Sequence, residues 1–144
     1  MNNRSTAIFL FLSGALLLGI GGAILLFPHS FFASNGIVLS NDPSWLSEVR
    51  APGGLLTASS ILILLGALRR SLRTPATALT VLVYGSFGLA RLLAIVLDGV
   101  PSGMLVGSMA IELIVAAIGL LMLRRAGATS VSPWQELEPT PAIR

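Results

Sequence analysis

The sequence contains no cysteine, which excludes a disulfide framework, thiol catalysis, haem attachment and a lipoprotein anchor. Lysine is absent too, so the nine basic residues are all arginine, and one histidine leaves little for a metal site. Charge is scarce, at 10% of residues. The arginines fall in short clusters beside apolar runs rather than on a face interleaved with aromatics, so no nucleic-acid partner is expected. No G-x-S-x-G, H-E-x-x-H or P-loop pattern occurs, which leaves hydrolase, metalloprotease and NTPase readings without support. Neither enzyme activity, a cofactor nor a metal is expected.

What fills the chain instead is hydrocarbon. Hydrophobic residues make up 54% of its 144 residues, and the mean hydropathy is +0.89, far more apolar than a soluble domain. Four runs meet or approach the ~20 residues needed to cross a bilayer. They predict an all-α, polytopic membrane protein, a compact bundle of helices over about 7–27, 45–68, 76–97 and 103–123, together forming a domain over 1–125. The first run exceeds the length of a secretory h-region and no A-x-A site follows it, so it is read as a membrane helix. Asp42-Pro43 looks like an N-cap followed by proline at the first helical position, starting the second helix early. Pro52-Gly53-Gly54 then predicts a weakening or kink within it.

Arginine placement sets the orientation. Arg4, the group Arg69, Arg70 and Arg73, and the pair Arg124 and Arg125 all belong to one side of the membrane. Cytoplasmic loops collect arginine, so both termini are expected in the cytoplasm, across a bacterial inner membrane, with the loop Pro28 to Ala51 and the turn Asp98 to Ser102 outside. His29 reads as a solvated interfacial residue, and Phe31, Phe32 and Trp45 read as interfacial anchors. Residues 126–144, rich in Pro, Ser and Thr, read as a disordered cytoplasmic tail in which Trp134 is a candidate docking residue.

Two charges interrupt the apolar runs: Arg91 in the third and Glu112 in the fourth. A charge in hydrocarbon costs at least a few kcal/mol, so such residues face a protein interior, pair, or line a ligand path. The short connection Asp98-Gly99-Val100-Pro101-Ser102 makes the two helices antiparallel neighbours. At 1.5 Å per residue, their depths differ by roughly one helical turn, within the reach of an arginine side chain. Tyr84, Arg91 and Asp98 recur at intervals of seven and share a stripe. Leu105, Ser108, Glu112, Ala116 and Gly119 form a band of mostly small residues on the fourth helix, suited to close packing. Gly53, Thr57 and Ser60 on the second helix, and Ala15, Gly19 and Ala23 on the first, are read as packing stripes of the same kind.

The expected polar cluster is therefore Glu48, Arg50, Tyr84, Arg91, Asp98 and Glu112, toward the outer leaflet. It can be structural, fixing one packing arrangement, since five guanidinium N–H groups need several acceptors. It can equally hold a lipid, a small ligand or a membrane partner, with Arg91 on an anionic or carbonyl group. As a binding or assembly protein the chain would have membrane lipids, a second copy of itself or another membrane protein as partners. The alternative is a small proton-coupled transporter acting as an oligomer through Glu112, against which stands the lack of any acid in the first helix.

The stretches Ser47-Glu48-Val49-Arg50-Ala51-Pro52-Gly53-Gly54, Gly88-Leu89-Ala90-Arg91-Leu92-Leu93 and Leu97-Asp98-Gly99-Val100-Pro101-Ser102, followed by Glu112, carry a resemblance. Over about residues 5–125 the chain resembles the small bacterial membrane proteins of domain-of-unknown-function family 4345. The resemblance implies a four-helix integral membrane protein and supports Glu48, Arg50, Arg91, Asp98 and Glu112 as the polar positions. It implies no reaction.

Overall fold

In a computed structural model, residues 3–128 are described, and every element among them is helical. The order is α1 (Asn3–Leu26), α2 (Pro28–Ser34), α3 (Pro43–Leu68), a 3-10 turn (Arg70–Leu72), α4 (Arg73–Asp98) and α5 (Gly103–Ala128). α1, α3, α4 and α5 are long and apolar enough to cross a membrane, so by length and composition the chain is a multi-pass membrane protein. The apolar side chains it exposes, such as Ile8, Leu12, Leu55, Leu62, Leu82 and Ile114, are those a bilayer would solvate.

Local chemistry explains the helix limits. Asp42 accepts hydrogen bonds from the backbone N–H groups of Ser44 (2.9 Å) and Trp45 (3.2 Å), and Pro43 occupies the first position of α3, where no N–H is missed. Pro75 is tolerated in the first turn of α4 for the same reason. Pro52 lies inside α3, yet the helix runs through it from Pro43 to Leu68. α4 stops where Gly99 adopts a positive φ of 98° and donates to the Ile95 carbonyl at 3.2 Å.

Two expectations are corrected by these limits. The outer connection is not a loop from Pro28 to Ala51, because α2 and the first turns of α3 lie within it. Pro28 starts α2 directly after α1 ends, with its fixed φ suited to a first helical turn. At the other end, α5 continues past Arg125 to Ala128, so residues 126–128 are helical rather than tail. The rest of the expected tail, with Trp134, lies outside the described residues.

Packing divides the helices into two antiparallel pairs. α1 and α3 approach so closely that a Cβ on Gly21 would lie 2.7 Å from the Thr57 backbone nitrogen. A Cβ on Gly53 would meet the Leu25 backbone nitrogen at 2.8 Å. α4 and α5 pair through Gly88 against Leu113 and Gly119 against Val81. α4 also packs on α3 and α1, which joins the pairs. The buried face of α1 is Leu10, Leu17 and Ile24 at intervals of seven, with Ser13, Gly14 and Gly21 beside them. Ala15 and Gly19, expected to pack, are exposed instead, because the heptad of bulky residues turns them away from α3. Small residues permit close packing but do not by themselves say which face packs.

Most hydroxyls at the crossings bond within their own helices, while that of buried Thr6 has no hydrogen-bond partner among the described residues. Ser13, Thr57, Ser60, Thr77 and Thr80 each bond a carbonyl three or four residues back, at 2.6–2.8 Å. These five supply small volume at the crossings with their own donors met.

Candidate functional site

The antiparallel pairs place Arg4, the Arg69–Arg73 group and the Arg124–Arg125 pair at one end of the molecule. Toward the opposite, arginine-poor end a cavity of about 400 Å³ opens between the pairs. Leu17, Ile20 and Ile24 of α1 and Leu56 of α3 line one side, and Val83, Tyr84 and Phe87 of α4 line the other. α5 contributes Leu105, Ser108 and Glu112, and α2 brings Phe31 and Phe32. The volume lies within the usual range of small-molecule sites, and the apolar lining with a few polar groups is their usual composition.

Arg91 and Glu112 meet across the hairpin. Arg91 Nε donates to both carboxylate oxygens of Glu112, at 3.2 Å and 3.1 Å. The register explains the contact: with Gly88 opposite Leu113 and Gly85 opposite Ala116, Glu112 lies ~3 Å deeper than the level of Arg91. That offset is smaller than the full turn expected from the turn length, and a long side chain covers it easily. The Arg91 side chain is 35% exposed and that of Glu112 14%. Because Nε makes the ion pair, both terminal guanidinium nitrogens of Arg91 lack a partner among the described residues. Arg91 is also one of the residues that line the cavity, so it brings spare donor capacity there.

The other expected members of the cluster go to different places. Tyr84 is buried, 3% exposed, and its side chain reaches α1 rather than Arg91 or Glu112. Its hydroxyl donates to the Ser13 carbonyl at 2.6 Å, tying the two helical pairs together at the cavity floor. Tyr84→Phe is expected to destabilise the fold by about 1 kcal/mol through loss of that bond, read as a lower midpoint of thermal unfolding in detergent. An unchanged midpoint would assign the residue to packing alone.

Arg50 is half-buried and does not line the cavity. Its Nη1 donates to the Leu25 carbonyl, in the last turn of α1, where carbonyls have no helical N–H to accept from. The positive charge also suits that end of the helix dipole. Arg50 is therefore a cap on α1. Asp98 is exposed at the last position of α4 and takes no part in the cavity. The interval of seven gave it the face of Arg91 but set it ~10 Å higher along the axis, too far to contact the guanidinium. Glu48 does line the cavity, exposed and without a hydrogen-bond or ion-pair partner among the described residues.

Sequence reasoning missed the wall that α2 provides. Phe31 and Phe32, expected as interfacial anchors, are partly buried against the core, edge to face with ring centroids 5.5 Å apart. Asn35, which ends α2 and bonds the Phe31 carbonyl at 2.9 Å, lines the cavity beside them. The available signal was Pro28 at a helix start and Ser34-Asn35-Gly36 at a helix stop. Among the described residues no three His, Cys, Asp or Glu side chains gather as a metal site would require.

Among known protein families, the sequence pattern described as "Domain of unknown function (DUF4345)" fits residues 5–123. No curated protein and no solved structure matches the chain.

Proposed function

The chain belongs to DUF4345, a domain of unknown function, and from its own cavity we propose that it is a binding protein for a lipid or other small amphiphile. We place it in a bacterial cytoplasmic membrane with both termini and the arginine-rich end in the cytoplasm, which sets the cavity in the outer leaflet. One observation carries the reading: Arg91, whose terminal guanidinium donors have no partner among the described residues, lines a largely apolar chamber of about 400 Å³. A pair that served only to hold two helices together would need no chamber beside it. Among the described residues the site has a single ion pair, and Ser108 Oγ donates to the Met104 carbonyl rather than to Glu112, which favours binding over catalysis.

The wall facing α5 favours entry from the bilayer. α5 packs on α4 and makes no comparable contact with α1, α2 or α3, so the two pairs are not sealed together along that side. A lipid can then move sideways into the cavity without leaving hydrocarbon.

Gentle extraction followed by native mass spectrometry tests this. The full chain is expected to carry a bound small molecule that Ser108→Phe, which fills the α5 side of the cavity, displaces. Equal adducts on both proteins would overturn the reading. A proton-coupled transporter acting as an oligomer is the second reading, favoured by the position of Glu112 on the cavity wall. The same spectra report subunit number, and a strictly monomeric protein would remove it.

A further inference from the structure

The polar groups of the cavity differ in what they leave unsatisfied. Arg91 and Glu112 neutralise one another but leave the two terminal guanidinium nitrogens open. Glu48 contributes a carboxylate with no ion-pair partner among the described residues. Arg91 and Glu48 lie within about 10 Å of the arginine-poor ends of their helices and Glu112 within about 14 Å, at ~1.5 Å per residue. Trp45, one turn before Glu48 on α3, lines the same cavity and is largely exposed.

An uncharged headgroup would leave both sets of groups unmet. A purely anionic one would satisfy Arg91 but bring a second negative charge toward Glu48, in surroundings where like charges are poorly screened. A headgroup carrying both charges meets both needs. We propose that the cavity selects a zwitterionic phospholipid, its phosphate on the terminal nitrogens of Arg91 and its ammonium on Glu48. This inference rests on the cavity being a ligand site.

The chemistry of the partners fits. A guanidinium whose two terminal nitrogens are free can grip a phosphate with paired hydrogen bonds, which an ammonium side chain cannot reproduce. The Trp45 indole offers a face to an ammonium near Glu48. The acyl chain then continues along Leu17, Ile20 and Val83, which supply the apolar contact. Glu48 lies nearer the arginine-poor end of its helix than Arg91 does, at ~1.5 Å per residue, which agrees with the order of ammonium, phosphate and chain along such a lipid.

Trp45 also supplies the readout. The full chain carrying Trp134→Phe, in detergent, is titrated with phosphatidylethanolamine or phosphatidylglycerol bearing identical brominated acyl chains, and quenching of Trp45 is followed. The zwitterionic lipid is expected to bind about tenfold more tightly than the anionic one, the size of one charge-assisted contact. Glu48→Gln is expected to abolish that preference, by weakening the zwitterionic lipid and relieving the repulsion of the anionic one. Arg91→Lys is expected to weaken both lipids. Glu48 is exposed and unpaired, so its substitution does not threaten the fold. Equal binding of the two lipids, or a preference that survives Glu48→Gln, overturns the selectivity while leaving a lipid site in place. Binding of neither lipid overturns both the selectivity and the lipid site on which it rests.

Discussion

Gly21→Leu is expected to prevent α1 and α3 from pairing and to leave little folded protein. Even the first added carbon would sit 2.7 Å from the Thr57 backbone nitrogen and 2.8 Å from Leu56 Cβ. Backbone cannot swing aside as a side-chain tip can, so the helices must separate along the crossing. Between membrane helices, association depends on van der Waals packing, because lipid is as apolar as the helices themselves. Separation therefore removes most of what holds this pair. A loss of about 3 kcal/mol or more is expected, at the upper end of overpacking effects. Gly19→Leu is the internal control: nothing lies within 4 Å of its Cβ position, and its effect should stay within about 0.5 kcal/mol. Thermal unfolding by circular dichroism in detergent reads both. Equal tolerance at the two positions would show that the α1 face has been assigned wrongly.

Arg91→Ala is expected to destabilise the protein by about 3 kcal/mol, the lower end of the range for breaking a buried pair, since the arginine is partly exposed. The loss arises less from the attraction removed than from the Glu112 carboxylate left without a partner on a membrane helix. Changing both residues to apolar ones of similar volume, Arg91→Met with Glu112→Leu, should recover most of the loss. The same unfolding measurement applied to the singles and the double closes the cycle. If the double change is as unstable as Arg91→Ala, the pair contributes shape rather than charge balance.

Much of the fold is legible in the sequence because lipid enforces a simple rule: four long apolar runs become four long helices. The antiparallel α4–α5 hairpin follows from its short turn, and the meeting of Arg91 with Glu112 follows from the hairpin. Rotational detail was less legible. Tyr84 shares the stripe of Arg91, yet its hydroxyl turns to the Ser13 carbonyl, because a residue midway along α4 faces α1 rather than the pair on α5. Arg50 shares a motif with Glu48 but caps α1, an interaction between positions 25 residues apart that no local pattern announces. Nor could spacing distinguish the exposed Gly19 from the crowded Gly21, since both belong to runs of small residues. α2 escaped notice because helices of a single membrane length dominate the pattern, and seven residues are too few to show a period.

The cavity between the helical pairs also bears on how stable the protein will look in the test tube. Side chains lining an empty space lack dispersion partners on one side, so an occupant of the chamber adds to the stability of the native state by mass action. At a hundred times its dissociation constant such an occupant contributes about 2.7 kcal/mol. Harsh delipidation would then lower the melting temperature with no change in sequence, and adding back the right amphiphile would restore it. Purification history becomes a thermodynamic variable, set by a space of about 400 Å³.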